Sequence, residues 1–360
     1  MRRSKFPKVL KISKVPAVKA LADGKGISVA ARVLCAGTLG LLVGSTGCGE
    51  GLDLAADEAQ VASAAAPLTT ACKGAPYPVL LAHGMAGFDR IGPINYFFNV
   101  AADLRARGET VIESQVAPFE SSAVRGAQLA HAIDDALAAT RACKINVIAH
   151  SQGGLDARYA ISSLRYGDRI ASLVTVSTPH QGTVIADAAL GLVPGFSYDV
   201  INAILRAIYG SGHSTSEPSL KASLTQLTRD NMQRRFNSAN RDDARVKYYS
   251  IAGRSSARLA SSECAGGLWS NGLRVDLLDP LLVLPETVFV ATSPNPLWPV
   301  PNDGLVSVES AKWGTFLGCV PADHFDEIGQ LAHLIPDIVS GYDHKAMYRK
   351  VVDKLHRDGL

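Results

Sequence analysis

The chain has 360 residues, of which 47% are hydrophobic and 19% are charged. That length is enough for one large α/β domain with an export segment, or for two small domains, and the apolar fraction allows a sizeable core. The formal net charge at neutral pH is only +3, and much of the positive charge lies in residues 1–32. Because the rest of the chain is close to neutral, the composition points to no nucleic-acid partner.

The N-terminal segment has the pattern of a bacterial export signal. A basic region is followed by an apolar run over residues 33–43, which is shorter than a transmembrane helix and typical of a signal peptide. Residues 45–48 (Ser-Thr-Gly-Cys) are similar to a lipobox, in which the cysteine is lipidated, although serine stands where leucine is usual. The alternative is ordinary cleavage near residues 64–66. We expect export, either as a secreted protein or as a lipoprotein of the outer membrane or periplasm anchored through Cys48.

Composition also places the domain boundaries. After a signal peptide over residues 1–47, residues 48–75 are rich in Ala, Asp, Glu and Thr without a period, which predicts a flexible linker. The catalytic domain is expected over residues 76–360, where apolar strand patterns alternate with helical patterns. Strands are predicted at residues 79–82, 110–113, 145–149, 173–176 and 248–252, with helices at 97–107 and 127–140. This alternation predicts the α/β fold class, a mostly parallel sheet with helices on both faces.

The strongest indication of chemistry is an apolar strand that runs directly into a serine. After residues 145–150, Ser151 stands in the pattern small-x-Ser-x-Gly, with Ala149 and Gly153 as the small residues, and a helical pattern follows. This strand–turn–helix context predicts a nucleophile elbow, whereas the bare pentapeptide would be a weak signal. The tight turn would lift the serine hydroxyl clear of the sheet and aim the backbone N–H of Gln152 at a substrate oxygen.

A nucleophilic serine needs a base, and the base needs an acid that orients it. In this arrangement the chain order is serine, acid, histidine. His324 follows the last expected strand, and Asp303 fits a turn at the end of an earlier strand, although an isolated Asp-Gly is often only a turn. The second oxyanion donor is expected in the loop after the first strand, where Gly84 allows close approach and the N–H of Met85 is the candidate.

Taken together, these motifs resemble the bacterial true lipases typified by the Pseudomonas and Burkholderia enzymes. The resemblance covers roughly residues 76–357 and is carried, in the same order, by residues 77–84, 125–129, 150–159, 177–182, 278–280, 302–306 and 324–331. It implies an α/β-hydrolase fold with Ser151, Asp303 and His324 as the catalytic triad. It also implies that Met85 and Gln152 are the oxyanion donors.

The resemblance implies a structural calcium ion as well. Its ligands would be the carboxylates of Asp279 and Asp326 and the backbone carbonyls of Gln330 and Leu334. Calcium takes hard oxygen ligands from flexible loops, and such an ion would hold the loop that presents His324. Without the resemblance, Asp326 would be interpreted as a solvated acid.

The family's lid follows a Thr-Pro-His-x-Gly segment, which is present here at residues 178–182. A helical lid is therefore expected over about residues 187–216. Within it, one apolar stripe is formed by Val200, Ile201, Ile204, Leu205 and Ile208. A packed core helix is the alternative interpretation of that stripe.

Four cysteines remain beyond the signal and the lipobox, and an even set in an exported protein suggests two disulfides. Cys72 and Cys143 lie just before two strands that are neighbours in this fold, so we expect Cys72–Cys143 and, by elimination, Cys264–Cys319. In the family, one cysteine of the disulfide comes shortly after the catalytic acid, at a position that corresponds to about Glu309. In this chain the cysteine is instead Cys319, just before His324. This departure leaves open whether the chain requires the family's dedicated folding chaperone.

The expected activity is hydrolysis of carboxylic esters of fatty acids through an acyl-enzyme. The expected partner is a lipid or ester substrate at an interface, and a membrane enters only through that substrate or a lipid anchor. Two alternatives are an esterase or polyester depolymerase on the same scaffold, and a catalytically silent lipoprotein that binds lipid. A complete triad argues against the silent protein, because binding alone needs no acid–base pair.

Overall fold

A six-stranded parallel sheet is the centre of the structure, which is a computed structural model. It describes residues 71–87, 90–91, 94–197, 202, 217–255, 264, 276, 278–297, 299–330 and 341–360. By contacts the chain divides into two units, Met1–Pro67 and Leu68–Leu360. The signal peptide, the candidate lipidation site Cys48 and most of the linker lie outside the described residues.

The strands follow the order β4-β1-β5-β6-β7-β8 across the sheet, and every neighbouring pair is parallel. Two short strands, β2 and β3, form a separate antiparallel pair. The strands are β1 (Val79–Ala82), β2 (Arg90–Ile91), β3 (Ile94–Asn95), β4 (Val111–Glu113), β5 (Ile145–His150), β6 (Ile170–Val176), β7 (Lys247–Gly253) and β8 (Thr315–Val320). Strands β1, β5 and β6 are buried along their whole length, as expected when helices cover both faces of a parallel sheet.

Helices lie on both sides of this sheet and beyond its carboxyl edge. They are α1 (Val100–Ala106), α2 (Ser122–Thr140), α3 (Gln152–Ser162), α4 (Val184–Ala189), α5 (Glu217–Leu227), α6 (the continuous turns Arg229–Asn231, Met232–Phe236 and Asn237–Ala239), α7 (Val283–Thr292), α8 (Val308–Ala311) and α9 (His344–Arg357). In the described ranges, no helix has the length and apolar character needed to cross a membrane.

Two apolar layers enclose the sheet, because alternate strand residues point to opposite faces. Leu81 and Ile148 pack with α1 and α9 on one face. Leu80 and Val147 pack with α2 and α3 on the other. A third apolar cluster joins α4, α5 and α7 to the first turns of the loop after β1. The predicted fold class is confirmed.

Both predicted disulfides are present. Cys72–Cys143 joins the residue ahead of β1 to the residue ahead of β5, and a parallel bridge between Lys73 and Ala142 extends this contact. Cys264–Cys319 joins the end of β8 to a residue of the long connection after β7. The pairing confirms that the strands leading to the first loop and to the elbow are neighbours.

The location of Asp303 differs from the expectation. This residue does not end a strand of the sheet, since it lies in the loop between α7 and α8. Strand β7 ends at Gly253, and a long connection separates it from Asn302 in the sequence. Asn302 forms an isolated antiparallel bridge with Ser255. The Ser255 N–H donates to the carbonyl of Asn302 at 3.0 Å. Asn302, the residue before Asp303, therefore lies close to the carboxyl end of β7.

The predicted lid lies mostly outside the described residues, including every residue of its apolar stripe. Its first residues, 187–189, belong to the buried helix α4. Asp187 is held there by an ion pair with Arg229, with 2.5 Å between the carboxylate and Nε.

Candidate active site

The elbow places Ser151 between β5 and α3. Its backbone has φ 54° and ψ −131°, a conformation that costs energy for a residue with a side chain. The Ser151 N–H donates to the carbonyl of Val176 at 2.9 Å, and Thr178 Oγ1 donates to the carbonyl of Ser151 at 2.7 Å. These bonds to the neighbouring strand hold the strained turn, as predicted for a nucleophile elbow.

Two glycines are required by close approaches at this turn. A Cβ on Gly153 would lie 2.6 Å from the carbonyl oxygen of Ala82, and a Cβ on Gly84 would lie 2.6 Å from the Cβ of Ser151. Neither position can therefore carry a side chain without a shift of the backbone. The loop after β1 consequently lies directly against the elbow, where an oxyanion donor must be.

Asp303 and His324 are in direct contact, as the sequence predicted. His324 Nδ1 lies 2.7 Å from Asp303 Oδ2, and both side chains are buried. The other carboxylate oxygen of Asp303 accepts the N–H groups of Leu305 at 2.8 Å and Val306 at 2.7 Å. The His324 N–H also donates to the Asp303 carbonyl at 2.9 Å. The backbone thus holds one carboxylate oxygen of Asp303, and the other carboxylate oxygen orients the His324 ring.

His150 and His324, here called the histidine pair, lie next to each other at the elbow. The His324 ring is 4.4 Å, centroid to centroid, from the ring of His150, the residue that precedes Ser151. The structure shows no hydrogen bond between Ser151 Oγ and His324. Catalytic hydrogen bonds are often loose without substrate and tighten in the complex, so the arrangement is compatible with proton transfer between these two side chains.

The candidate oxyanion donors belong to helix α3 and to the loop after β1. Gln152 is the first residue of α3, and its side-chain amide donates to the carbonyl of Glu120 at 2.8 Å. Met85 is half-buried beside the apolar cluster that includes Ala86. The Ala86 N–H is already engaged with the carbonyl of Pro118 at 2.8 Å. The N–H of Met85 therefore stays the candidate for the second donor.

A buried arginine supports the oxyanion loop, a role that the sequence analysis did not assign. Arg125 Nε donates to Asp156 Oδ2 at 2.7 Å, and Nη2 donates to the carbonyls of His83 at 2.8 Å and Gly84 at 3.1 Å. Burial raises the pKa of Asp156 to about 6, against the opposing effect of the Arg125 charge. Since Asp156 lies on α3, Arg125 joins the two elements that carry the candidate oxyanion donors. Its place in a family motif was the only signal of this role.

His83, at the start of the same loop, is neutral. Burial, followed by the charge of Arg125, lowers its pKa to about 4. Its Nε2 accepts the N–H of Val116 at 3.2 Å, so the proton is on Nδ1, which donates to the carbonyl of Gly84 at 2.9 Å. The ring therefore fixes the backbone that leads to Met85.

A second polar network that the sequence analysis missed lies behind the histidine pair. His150 Nε2 is 3.1 Å from Glu327 Oε2, and its Nδ1 is 2.7 Å from the hydroxyl of Tyr96. Ser177 donates to the other oxygen of Glu327. Burial lowers the pKa of His150 and raises the pKa of Glu327. A buried polar network thus connects the elbow strand to the loop that carries His324.

Two buried carboxylates of that loop meet a third from the connection after β7. One oxygen from each of Asp276, Asp323 and Asp326 lies within 4.8 Å of the others, and burial raises the pKa of Asp323. Hard oxygen donors in this number suit Ca²⁺, and a cation would offset the repulsion between buried carboxylates. The donor set therefore fits the metal that the family resemblance implies.

The expected calcium ligands are only partly in this group. Asp326 belongs to it, but Asp279 does not. The Asp279 carboxylate accepts the N–H of Leu281 at 2.8 Å, and the Asp279 backbone N–H donates to Asp323 Oδ2 at 2.8 Å. The Gln330 side chain donates to backbone carbonyls of the segment before α1. Leu334 lies outside the described residues.

Comparison with known proteins agrees with this fold. Residues 77–254 match the alpha/beta hydrolase fold family. A triacylglycerol lipase of Vibrio cholerae is 30% identical over 309 residues, which cover 79% of this chain and 89% of that protein. A triacylglycerol lipase of Pseudomonas fragi is 30% identical over 280 residues, covering 71% of this chain and 89% of that protein.

Solved structures show the same fold at lower identity. A metagenomic carboxyl esterase superposes with a TM-score of 0.56 at 20% identity, covering 80% of this chain and 77% of that one. The lipase of Staphylococcus hyicus superposes with a TM-score of 0.53 at 19% identity, covering 78% of this chain and 95% of that one.

The fold, the elbow and the relatives define the class of the protein, which is a serine ester hydrolase with the α/β-hydrolase fold. Within that class, the chain belongs to the family of bacterial triacylglycerol lipases, as a divergent member at about 30% identity.

Proposed function

We propose that this protein is a triacylglycerol lipase that hydrolyses fatty-acid esters with Ser151, His324 and Asp303. The observation that carries the proposal is the buried contact of 2.7 Å between Asp303 and His324 beside the nucleophile elbow. A binding protein gains nothing from an oriented histidine of this kind, whereas acyl transfer requires one. The names of the curated relatives support the substrate class.

The reaction proceeds in two halves. His324 takes the proton of the Ser151 hydroxyl, and the serine oxygen attacks the ester carbonyl. The N–H groups of Met85 and Gln152 stabilise the negative charge on the former carbonyl oxygen. His324 then gives its proton to the departing alcohol, leaving an acyl-enzyme. In the second half His324 removes a proton from water as the water oxygen attacks the acyl carbonyl. The bond from that carbon to Ser151 Oγ then breaks, and His324 returns the proton to Ser151 as the fatty acid is released.

Replacement of the nucleophile tests the proposal. Ser151→Ala is expected to lower ester hydrolysis by about four to six powers of ten with an unchanged melting temperature, because the fold does not depend on the hydroxyl. A serine-directed phosphonate should label the wild type and not the variant. A variant that kept a tenth of the activity would contradict the assignment. Rates on short-chain and long-chain glycerol esters would separate a lipase from an esterase.

The two disulfides indicate that the chain folds in an oxidising compartment outside the cytoplasm. We propose that residues 1–47 direct this export and that lipidation of Cys48 anchors the protein. The mass of the mature protein, with Cys48→Ser as the control, tests the anchor. An unmodified mature N-terminus in the wild type would refute it.

The carboxylates of Asp276, Asp323 and Asp326 would hold a structural calcium ion in this proposal, in place of the Asp279 ligand implied by resemblance. Bound there, the ion would neutralise buried negative charge. Asp323 and Asp326 flank His324 in the sequence, so these residues position the loop that presents the catalytic base.

A further inference from the structure

The loop that carries Asp303 is closed by its own backbone. The Asp303 N–H donates to the carbonyl of Val306 at 3.1 Å, and the Val308 N–H donates to the carbonyl of Pro301 at 2.8 Å. These bonds fix the internal shape of the loop, but they do not fix its place against the rest of the molecule. That place, and with it the direction of the Asp303 carboxylate, depends on groups outside the loop.

One such group is the hydroxyl of Thr183, on the segment between β6 and α4. Thr183 Oγ1 donates to the carbonyl of Leu305 at 2.5 Å. The same oxygen accepts the N–H of Ile185 at 3.1 Å, which caps the first turn of α4. A hydroxyl has only one proton, and here that proton is directed at the Leu305 carbonyl. Since only 8% of Thr183 is exposed, water competes little for either bond.

The acceptor of this bond belongs to a peptide group that also holds the proposed catalytic acid. The Leu305 carbonyl and the Val306 N–H are the two ends of one planar amide, and that N–H donates to Asp303 Oδ1 at 2.7 Å. The other carboxylate oxygen, Oδ2, lies 2.7 Å from His324 Nδ1. A hydrogen bond to the carbonyl fixes the plane of the amide and strengthens its N–H as a donor, because successive hydrogen bonds polarise one another. The Thr183 hydroxyl is thus the start of a chain of hydrogen bonds that ends at His324.

Ser310 provides a comparison, because its hydroxyl joins the same two parts of the chain through other backbone groups. Its Oγ donates to the carbonyl of Gly182 at 2.6 Å and accepts the N–H of Gln181 at 3.1 Å. Ser310 lies in α8, after the loop, and is buried to a similar extent as Thr183. Loss of the Ser310 hydroxyl would therefore weaken the attachment of α8 to the segment after β6, while the bond from Thr183 to the amide remains.

We propose that Thr183 is a positioning residue for the catalytic acid. Its hydroxyl orients the amide between Leu305 and Val306, and through that amide the Asp303 carboxylate that directs His324. The inference rests on the proposed function for the roles of Asp303 and His324. Because the hydroxyl acts through the acid, its loss should lower kcat more than it changes KM.

Thr183→Val tests the proposal, because valine has the shape of threonine and lacks the hydroxyl. On a soluble short-chain ester, kcat is expected to fall about tenfold, the effect of one hydrogen bond. Thr183→Ala should show a loss of the same kind, whereas Thr183→Ser keeps the hydroxyl and should retain most of the wild-type kcat. Ser310→Ala is the matched control and should lower the melting temperature with little change in kcat. An unchanged kcat in Thr183→Val, or an equal loss in Ser310→Ala, would overturn the proposal.

A double-mutant cycle with Asp303→Asn tests whether the effect passes through the acid. Valine at position 183 also removes the cap of α4, and a loosened helix would lower kcat whether or not the carboxylate is present. A residue that acts through Asp303 has little left to affect once the carboxylate is gone. Thr183→Val should therefore have little further effect on kcat in the Asp303→Asn background. The same loss in both backgrounds would show that Thr183 is only a helix cap.

These variants also separate the inference from the proposed function. Asp303→Asn alone is expected to lower kcat by about 10⁴, because the histidine then takes the wrong tautomer. A full loss in Asp303→Asn with no loss in Thr183→Val would leave the proposed function standing and overturn the inference. Unchanged activity in Asp303→Asn would overturn both. Melting curves of every variant establish that the rates refer to folded protein at the assay temperature.

Discussion

Arg125 is buried between the loop after β1 and helix α3, and its guanidinium contacts both. We expect Arg125→Met to lower kcat by about 10²–10³, comparable to the loss of an oxyanion donor, with a smaller change in KM. The reason is that the carbonyls of His83 and Gly84 lose their common donor. The variant should also be less stable, since Asp156 is left buried without its partner.

The double variant Arg125→Met, Asp156→Leu separates positioning from stability. Replacing both partners with apolar residues removes the uncompensated carboxyl and should recover most of the melting temperature. The loss in kcat should persist, because the loop still lacks its donor. Recovery of kcat together with stability would show that Arg125 has only a structural role. Steady-state kinetics and melting curves provide both measurements.

The neutral His83 makes stability depend on pH. Its pKa is lowered from 6.5 to about 4 in the folded protein, by burial and then by Arg125. Between these values the unfolded chain binds a proton that the folded chain does not. The free energy of unfolding should therefore fall as the pH decreases from about 6.5 to about 4, by up to ~1.4 kcal/mol per pH unit from one such group. His180, whose pKa is also lowered by burial, acts in the same direction.

Urea unfolding at pH 7 and pH 5 checks this expectation. His83→Gln is the matched variant, because glutamine does not titrate and its amide can still bond to the backbone. Its free energy of unfolding should depend less steeply on pH than that of the wild type. Equal slopes for the two proteins would show that His83 is not the titrating group.

At the scale of elements, the sequence predicted the strands whose residues are apolar throughout, such as β1 and β5, because continuous apolar runs have no other common explanation. Boundaries were less certain. Helix α2 begins at Ser122, five residues before the predicted start, since its first turn has little apolar periodicity. The prediction that Asp303 follows directly at the end of a strand was wrong, because a local turn pattern cannot show that a long connection separates this residue from β7.

The two disulfides should contribute differently to function. Removal of either, as Cys72→Ser with Cys143→Ser or as Cys264→Ser with Cys319→Ser, is expected to lower the free energy of unfolding by about 2–4 kcal/mol. Only the second pair should reduce activity, because Cys319 lies near the end of β8, which leads within five residues to His324, the proposed catalytic base. The first pair joins chain segments at the amino ends of β1 and β5, away from the site.

Chemical denaturation and initial rates on a soluble ester, measured on the same samples, check this difference. Free thiol titration of the wild type is the control for complete oxidation. A similar loss of activity in both pairs would show that the disulfides act through overall stability alone.

For the whole molecule, sequence motifs predicted both disulfides and the pairing of Asp303 with His324, since each depends on a local pattern or on strand order. The roles of the triad and of the oxyanion donors stay predictions. The supporting networks could not be predicted. Arg125 meets Asp156 across 31 residues, and His150 meets Glu327 across 177, so these contacts exist only when the sheet has assembled. The same limitation applies to Asp276, which three-dimensional packing brings to Asp326.

Calcium binding would affect the whole molecule through the carboxylates of Asp276, Asp323 and Asp326. A ligand that binds only the folded state stabilises it by about 2.7 kcal/mol at a hundredfold excess over its dissociation constant. Treatment with a strong chelator should therefore lower the melting temperature and the activity, and calcium should restore both. Asp276→Asn should abolish this response, whereas Asp279→Asn should retain it. No shift with chelator and no calcium by elemental analysis would leave these residues as ordinary buried acids.

The Cys72–Cys143 bridge determines where the chain enters the catalytic unit. All six strands are parallel, so their amino ends share one edge of the sheet and Ser151 lies beyond the other. Attachment of the protein to a solid support through the segment before Cys72 would leave the catalytic mouth facing the solution, and the covalent bridge would transmit the load to the centre of the sheet.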